Sequence, residues 1–297
     1  MKHIKRIVSL VLAIVMAMSL SACSFGEPTV ESLFGVKTDI TVEQKTIYEA
    51  NGIKISTMAL AEEIEKENNF ISAYFYLKLE IENSTADEIR IYPKWVTVND
   101  FMVGYGSTVN VDAGSTIEYN IDLSPANLEF EGISIVKDIE FAFNIGTYNE
   151  ESDDYEFILT EPIAITTSAD PNYVQPEVKN GVVAYSGDEA KIMFAWADKY
   201  SIKMYVENNL DQHINVMVSC ASANGNASEY PYENIASIAV GKKGSVRVAY
   251  PRDFVDSSKS NEFVFNITIY DDSGYNVAFL QIIKDLGTIT VTLDKFE

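Results

Sequence analysis

The sequence predicts an all-β protein, built as two tandem antiparallel β-sandwiches that follow an export segment and a short tether. Two observations concern the strands: apolar and polar residues alternate with a period of two, and turn-forming residues interrupt them about every eight to twelve residues. The third is that three blocks of sequence recur in the same order in the two halves of the chain. Together these features favour sandwiches over any α/β plan.

Composition bounds the possible functions. The 297 residues are 47% hydrophobic and 22% charged, which is typical of a globular chain with enough length for two domains. The formal charge of -22 would repel phosphate backbones, so we exclude a nucleic-acid partner. Two Cys and two His leave no zinc cluster or disulfide framework, and we expect neither a cofactor nor a structural metal.

The first segment has the properties of an export signal. Lys2, Lys5 and Arg6 give a positive start, and residues 7–20 are apolar apart from two serines. This apolar run is too short to span a membrane but suits the central region of a signal peptide.

The export segment ends in Leu20-Ser21-Ala22-Cys23. This motif resembles the lipobox of bacterial lipoprotein precursors, which implies cleavage after residues 1–22 and lipidation of Cys23. A plain secretory signal is the alternative, and the final Cys decides against it. Two acyl chains, at about 0.8 kcal/mol per buried CH2, would hold the mature protein on the extracellular face of the bacterial cytoplasmic membrane.

The internal repeat determines the domain plan. Its first block recurs at an offset of 137, the second at 125 and the third at 122, so the first copy carries twelve extra residues between the first two blocks. The only helix-like stretch, residues 60–69, falls in this insertion and is expected to be a turn of helix or an irregular loop. The paired blocks are 48–55 with 185–192, 75–83 with 200–208, and 141–145 with 263–267.

We divide the chain accordingly. Prolines at 171 and 176 interrupt the strand pattern between the copies, which predicts a stiff linker. Residues 24–46 lack a sustained apolar period and are expected to form a flexible tether of roughly 25 Å. The predicted parts are a signal peptide (1–22), a lipidated tether (23–46), sandwich 1 (47–167), a linker (168–179) and sandwich 2 (180–297).

The strand motifs resemble immunoglobulin-like, telokin-like domains found in uncharacterised bacterial lipoproteins. They are Asn51-Gly52-Ile53-Lys54-Ile55 and the alternating strand 77–83 that ends in Glu-Asn, with a degenerate second copy. The resemblance implies surface display and binding, and it supplies no catalytic residues. Antibody-type core cysteines are missing, and Trp95 of the first copy aligns with Cys220 of the second.

Few residues suggest chemistry. His213 is the only His left after processing, and its counterpart in the first copy is Glu88, so we expect a solvated strand end. Cys220 has no intrachain partner other than Cys23 and shares a face with apolar residues, which predicts a free, buried thiol. We therefore expect no enzymatic activity.

Two acidic turns suggest weak Ca2+ binding. Glu150-Glu151-Ser152-Asp153-Asp154 and Asp271-Asp272-Ser273-Gly274 follow related strands in the two copies, and carboxylates with turn carbonyls are calcium ligands. Neither turn has the spacing of a dedicated calcium loop, and Asp-Ser-Gly also suits an ordinary hairpin turn.

Aromatic loop residues are the strongest binding candidates. Tyr105 in the first copy, and Tyr230 and Tyr232 in the second, lie in connections that contain Gly, Asn or Ser. Exposed aromatic side chains on loops commonly contact other molecules. The alternative is that these rings fold back over the open ends of the sandwiches.

Two function classes follow. The favoured one is a non-enzymatic, surface-anchored binding or spacer module for a protein or an envelope polymer. The alternative is an accessory envelope enzyme or a solute-capture lipoprotein, although capture proteins with two lobes usually alternate helices and strands.

Lipidation is directly testable. Replacing the acceptor thiol, Cys23→Ala, is expected to leave an unprocessed precursor that incorporates no labelled fatty acid. Metabolic labelling of the wild type and the variant is the measurement, and a labelled variant would refute the lipobox.

Overall fold

The computed structural model describes residues 27–295, apart from 69, 105, 150–152, 179–180, 199, 230–231, 257 and 273–280. Their buried apolar side chains form two clusters. The first draws mainly on residues before the predicted linker and the second on residues after it. No helix in this part of the chain is long and apolar enough to cross a membrane.

The elements of the first copy precede those of the second without interleaving. The first sandwich comprises α1 (Val30–Phe34), β1 (Thr46–Ala50), β2 (Ile53–Glu67), β3 (Phe70–Asn83), β4 (Ile89–Val98), β5 (Phe101–Gly104), β6 (Val109–Val111), β7 (Thr116–Asp122), α2 (Pro125–Glu131), β8 (Asp138–Asn149), β9 (Asp154–Leu159) and β10 (Ile163–Thr166). The second comprises β11 (Val182–Ser186), β12 (Ala190–Asp198), β13 (Ser201–Asn208), β14 (Ile214–Ala223), β15 (Asn226–Ala227), β16 (Glu233–Ile238), β17 (Lys243–Val248), a 3-10 turn (Arg252–Phe254), β18 (Asn261–Asp271) and β19 (Ile282–Leu293).

Each copy buries its core between two sheets. The first copy pairs its strands in the orders β1-β2-β3-β7 and β10-β8-β4-β5, with β6 beside β4 and β9 beside β8. The second repeats this plan as β11-β12-β13-β17 and β15-β14-β18-β19, with β16 beside β14. The chain crosses from one sheet to the other three times, between β3 and β4, between β6 and β7, and between β7 and β8, as in immunoglobulin-like sandwiches. The predicted all-β, antiparallel architecture is confirmed.

The strand registers reproduce the repeat. Tyr48 pairs with Ile55, and Tyr185 pairs with Ile192, so the first block aligns as predicted. The third block differs from the predicted alignment by two residues. Ile145 pairs with Ile91 in the first copy, and in the second copy Ile269, not Ile267, pairs with the equivalent Val216. Its structural offset is therefore 124 instead of 122. A slip of two residues keeps the same face buried, which is why alternation alone did not reveal it.

A buried asparagine closes the same corner of both sandwiches. The Asn83 side-chain amide donates to the carbonyl oxygens of Asp87 (2.9 Å), Val111 (2.9 Å) and Asp112 (3.2 Å). Its oxygen accepts from the backbone N–H of Thr85 at 3.0 Å. The amide thus joins the β3–β4 connection to the turn before β7.

Asn208 repeats this arrangement in the second sandwich. Its amide donates to Gln212 O (2.8 Å), Ile238 O (3.3 Å) and Ala239 O (3.0 Å), and its oxygen accepts from Leu210 N at 3.0 Å. We call each of these networks an asparagine clasp.

The twelve extra residues lengthen a hairpin, so the expected helix or loop over residues 60–69 is wrong. Strands β2 and β3 stay paired from Ile53↔Asn83 to Glu67↔Phe70. The corresponding hairpin of the second copy ends at Asp198↔Ser201. Good helix formers in β2 are overridden here by tertiary structure, because the segment pairs with β3 and packs Leu60 and Ile64 on the first core.

The flexible tether predicted over residues 24–46 is also wrong for the described part, residues 27–46. Val30 and Val36 are fully buried in the first core. Helix α1 begins with a capping box, in which the side-chain oxygens of Thr29 and Ser32 each accept from the other residue's backbone N–H. The helix ends at Gly35, which has a φ of 69°. Val42 forms a bridge with Thr167. Sparse apolar residues without a period were enough to dock this segment.

Cys220 is buried, as predicted, with 2% of its surface exposed, and it is a free cysteine among the described residues. Burial raises the pKa of its thiol to about 11. Trp95, at the equivalent position, lies in a β-bulge with a φ of 53°. The bulge re-aims the indole, which contacts the second sandwich.

The two copies are joined edge to edge by a parallel contact between β5 and β17, at Phe101↔Lys243. Tyr205 and Met193 of the second copy pack into the first core. Gly244 suits this close approach, since a Cβ there would lie 3.1 Å from Met102 Cβ of the first copy.

We call this contact between the two copies the joint. It contains a buried ion pair. Glu131, at the end of α2, is 4% exposed and lies 3.0 Å from Lys203 Nζ on β13. Ser245 donates to the same carboxylate at 2.7 Å, and Lys203 also donates to Phe130 O. Burial raises the pKa of Glu131 above its ordinary value, although Lys203 and Ser245 oppose that shift.

A second set of ion pairs also joins the two copies. Lys242 contacts Asp100 at 2.8 Å and Glu140 at 3.1 Å, so the first copy holds a cation of the second. Burial alone would lower the pKa of Lys242, but hydrogen bonds to these carboxylates raise it above its ordinary value.

The segment after the first sandwich is hydrogen-bonded to that sandwich. Lys137 Nζ donates to Pro171 O (2.8 Å) and Tyr173 O (3.1 Å), and Gln175 Nε2 donates to Gly132 O (3.1 Å). The boundaries of the predicted linker, and the independent folding of the two units, stay predictions.

The clasps predict large losses of stability. Asn83→Ala and Asn208→Ala are each expected to lower the free energy of unfolding by about 3 kcal/mol, because each removes several hydrogen bonds at once, including at least one to a buried carbonyl group. Urea denaturation is the measurement. Asn209→Ala is the control, since this exposed neighbour makes one side-chain hydrogen bond, to Gly187 O. Equal effects at positions 208 and 209 would contradict the role of the clasp.

The joint predicts a second stability effect. Glu131→Ala strands the Lys203 ammonium at a position where only 12% of its side chain is exposed, and should cost about 3 kcal/mol in thermal or urea unfolding. Glu43→Ala breaks the exposed pair with Lys45 (3.3 Å) and should leave the unfolding midpoint unchanged. Similar unfolding midpoints for both variants would show that the Glu131–Lys203 pair does not stabilise the protein.

Candidate binding surfaces

Of the three tyrosines predicted to contact a partner, Tyr232 lies in the described structure. It precedes β16 and 70% of its surface is exposed, so its ring does not fold back over the core. Tyr105 and Tyr230 lie outside the described residues.

Tyr232 borders a groove of about 520 Å³ at one end of the second sandwich. The opposite wall is the connection from β17 to β18, which contributes Tyr250, Arg252 and Phe254. We call this the aromatic groove. Its rim carries exposed rings, since Tyr232 is 70% exposed and Phe254 is 44% exposed.

Local sequence explains how this wall is built. Tyr250 packs edge-on against Trp196 and Phe263, with ring centroids 6.1 and 5.5 Å away, and this contact anchors the connection. Pro251 then begins the single 3-10 turn that carries Arg252 and Phe254. Because proline fixes φ and removes an N–H, it ends the strand pairing at this point.

The groove combines aromatic and charged groups. The Arg252 guanidinium lies 5.2 Å from the Tyr200 ring, and Tyr200 is half exposed. Glu229 and Asp253 add carboxylates to the lining. Such a surface offers ring faces for packing and both signs of charge for hydrogen bonding.

Sequence reasoning missed Tyr200, Arg252 and Phe254. Tyr200 comes from one turn and Arg252 and Phe254 come from another, and only the fold brings these two turns to the same end of the sandwich as Tyr232. The run Pro251-Arg252-Asp253-Phe254 signalled a turn with one exposed aromatic and could have been noticed.

His213 is not a solvated strand end, so that expectation is wrong. Its ring stacks on Trp95 with centroids 3.4 Å apart, and its Nδ1 accepts from Val240 N at 3.3 Å. Burial lowers the pKa of His213, although Asp272 opposes that shift. The Trp95 indole donates to Asp272 at 3.3 Å. His213 therefore belongs to the joint between the copies.

The acidic turns are described only in part. Asp153 accepts from the Tyr148 hydroxyl, and Asp272 accepts from Asn215 Nδ2 at 3.0 Å as well as from Trp95. Within the described ranges, no three His, Cys, Asp or Glu side chains are grouped to hold a metal ion. Residues 150–152 and 273–274 of these turns lie outside those ranges, as does Cys23.

The lengthened β2–β3 hairpin is a further exposed surface. Beyond Ala61↔Tyr76 it continues as residues 62–75, which we call the arm. Its inner face is supported by α1: Glu62 Oε2 accepts from Val30 N at 3.1 Å, and Ile64 packs on the first core. Its tip exposes Phe70 by 79% and Ile71 by 50%.

No protein-family model and no curated protein matches the chain. Red sea bream transglutaminase shows 13% identity over 80% of this chain, with a TM-score of 0.21, and the chain spans 31% of that protein. CBD12 from CALX1.2 shows 10% identity, covering 74% of this chain and 93% of that one, with a TM-score of 0.22.

A third solved structure is the CsuC–CsuE chaperone–tip adhesion subunit pre-assembly complex from Csu pili of Acinetobacter baumannii. It shows 8% identity and covers 75% of this chain and 92% of that one, with a TM-score of 0.20. TM-scores this low carry no argument about function.

Proposed function

We propose that this chain is a non-enzymatic, surface-anchored binding module, in which the aromatic groove contacts a protein or an envelope polymer. The observation that carries the proposal is the gathering of exposed rings, Tyr232, Phe254 and Tyr200, at one end of a rigid sandwich. Large exposed rings on a rigid frame lose little entropy on binding, and aromatic residues are common hot spots of interfaces.

The attachment part of the proposal rests on Cys23 in the lipobox. With the anchor at the N-terminus and the groove in the C-terminal sandwich, the first sandwich would separate the binding surface from the lipid. The joint supports such a spacer role, because its buried ion pair and stacked rings hold the copies together.

The non-enzymatic part rests on the groups available. His213 is engaged at the joint, and Cys220 is buried with a raised pKa. Neither can serve as an accessible base or nucleophile in its observed setting.

The test removes two rings from the groove. The double variant Tyr232→Ala, Phe254→Ala is expected to unfold at the midpoint of the wild type, because both rings are exposed, and to bind at least about tenfold more weakly to isolated envelope material. Thermal unfolding and quantitative sedimentation with that material are the measurements.

The control double variant is Tyr148→Ala, Phe157→Ala, which removes two rings of 44% and 40% exposure from the first sandwich. It should retain binding. A groove variant that unfolds several degrees lower yet binds normally would place these rings in the core and the binding face elsewhere.

A further inference from the structure

The arm has no counterpart in the second sandwich, which builds the same core without it. Residues 62–75 stand where the second copy has its last strand pair, Asp198↔Ser201. Building a sandwich of this plan therefore does not require the full length of the arm, although Phe75 and Ile64 of the arm pack in the first core. Because the repeat serves as an internal comparison, the extra length calls for a role other than core formation.

The arm presents a free sheet edge. Strand β1 pairs with β2 only up to Ser56, and beyond it Gln44 Nε2 donates to Met58 O at 3.0 Å. Within the described residues, Ala59 to Glu67 of β2 pair only with β3. About every second residue along that edge directs its N–H and C=O outward, which is a template for another strand.

The charge along this edge is regular. Glu63, Glu65 and Glu67 are exposed and share one face of β2. Their spacing is about 6.7 Å, twice the rise of a strand residue. Lys66, between them, lies on the opposite face.

Aromatic side chains line the same face on β3. Glu63 pairs with Tyr74, and Glu67 pairs with Phe70. Tyr74 stacks on Tyr76 with ring centroids 5.7 Å apart, and its hydroxyl lies 3.4 Å from Glu65 Oε2. Burial, followed by the nearby carboxylates of Asp122 and Glu63, raises the pKa of Tyr76 above its ordinary value.

We propose that the free edge of the arm binds an extended, basic segment of a partner protein, with Lys or Arg at alternate positions, as an added antiparallel or parallel strand. Cross-strand neighbours lie about 5 Å apart, so alternate cations would face Glu63, Glu65 and Glu67. Cations can also stack on the tyrosine rings. A second copy of this chain is disfavoured, because its own row of glutamates would repel this one.

The inference is independent of the aromatic groove, which lies on the other sandwich. It commits to strand addition at the arm, a recognition mode in which backbone hydrogen bonds supply affinity and alternate side chains supply specificity.

The test uses a capped nine-residue peptide in which Lys alternates with Thr. It is expected to bind the full chain and to slow amide hydrogen exchange over residues 59–67. The variant Glu63→Gln, Glu65→Gln, Glu67→Gln should weaken binding by about tenfold or more. Calorimetry at physiological salt is the binding measurement.

Two controls separate strand addition from diffuse attraction to an acidic protein. The variant Glu49→Gln, Glu80→Gln, Glu118→Gln removes the same charge from exposed positions outside the arm, and should change affinity by about twofold or less. A peptide in which Lys alternates with Pro keeps the charge but lacks half of the strand donors, so it should bind about tenfold more weakly.

Equal losses in the two triple variants, equal binding of the Pro peptide, or unchanged exchange over residues 59–67 would each overturn the proposal. The exchange measurement on the wild-type chain needs no variant, so the proposal stays testable even if a substitution impairs folding.

Discussion

Each sandwich depends on one buried asparagine. The amide groups of Asn83 and Asn208 each satisfy three carbonyl oxygens in two different connections, at the point where the chain leaves one sheet for the other. Backbone groups in such a corner cannot join a sheet ladder, and leaving them unpaired is costly. Leucine or valine would fill the space but would remove a donor from each of these carbonyls. The clasp therefore sets the path of strands β4 and β14, on which both cores are built.

The core strands could largely be predicted from the sequence, whereas the lengthened β2–β3 hairpin and the short helices could not. Alternation over residues 75–83 identified a strand because one face is buried and the other is solvated. Over residues 59–67, Ala, Leu, Glu and Lys favour a helix locally, and only pairing with β3 makes them a strand. Helix α2 went unnoticed, although Ser124-Pro125 and Gly132 are typical helix boundaries.

The candidate site was predictable only in part, for a related reason. Tyr232 could be identified as a loop aromatic from its neighbours, whereas Tyr200 and Phe254 become significant only when three separate turns meet. The joint was unpredictable, because the Trp95 bulge and the Gly244 approach are properties of tertiary packing. His213 has an acidic counterpart, Glu88, in the first copy, and this difference suggested an exposed position. His213 instead stacks on Trp95 at the joint, a contact that has no equivalent in the repeat.

The joint also has a mechanical consequence. One residue pair joins β5 to β17, whereas six join β13 to β17 within the second sandwich. If a force pulled the N-terminus away from a ligand bound in the aromatic groove, the two copies would separate at the joint before the strands of either sandwich came apart. Separation would expose Glu131 and Lys203 to water, which lowers the cost of parting their charges. The joint would then open under force and re-form afterwards, while both sandwiches stayed folded.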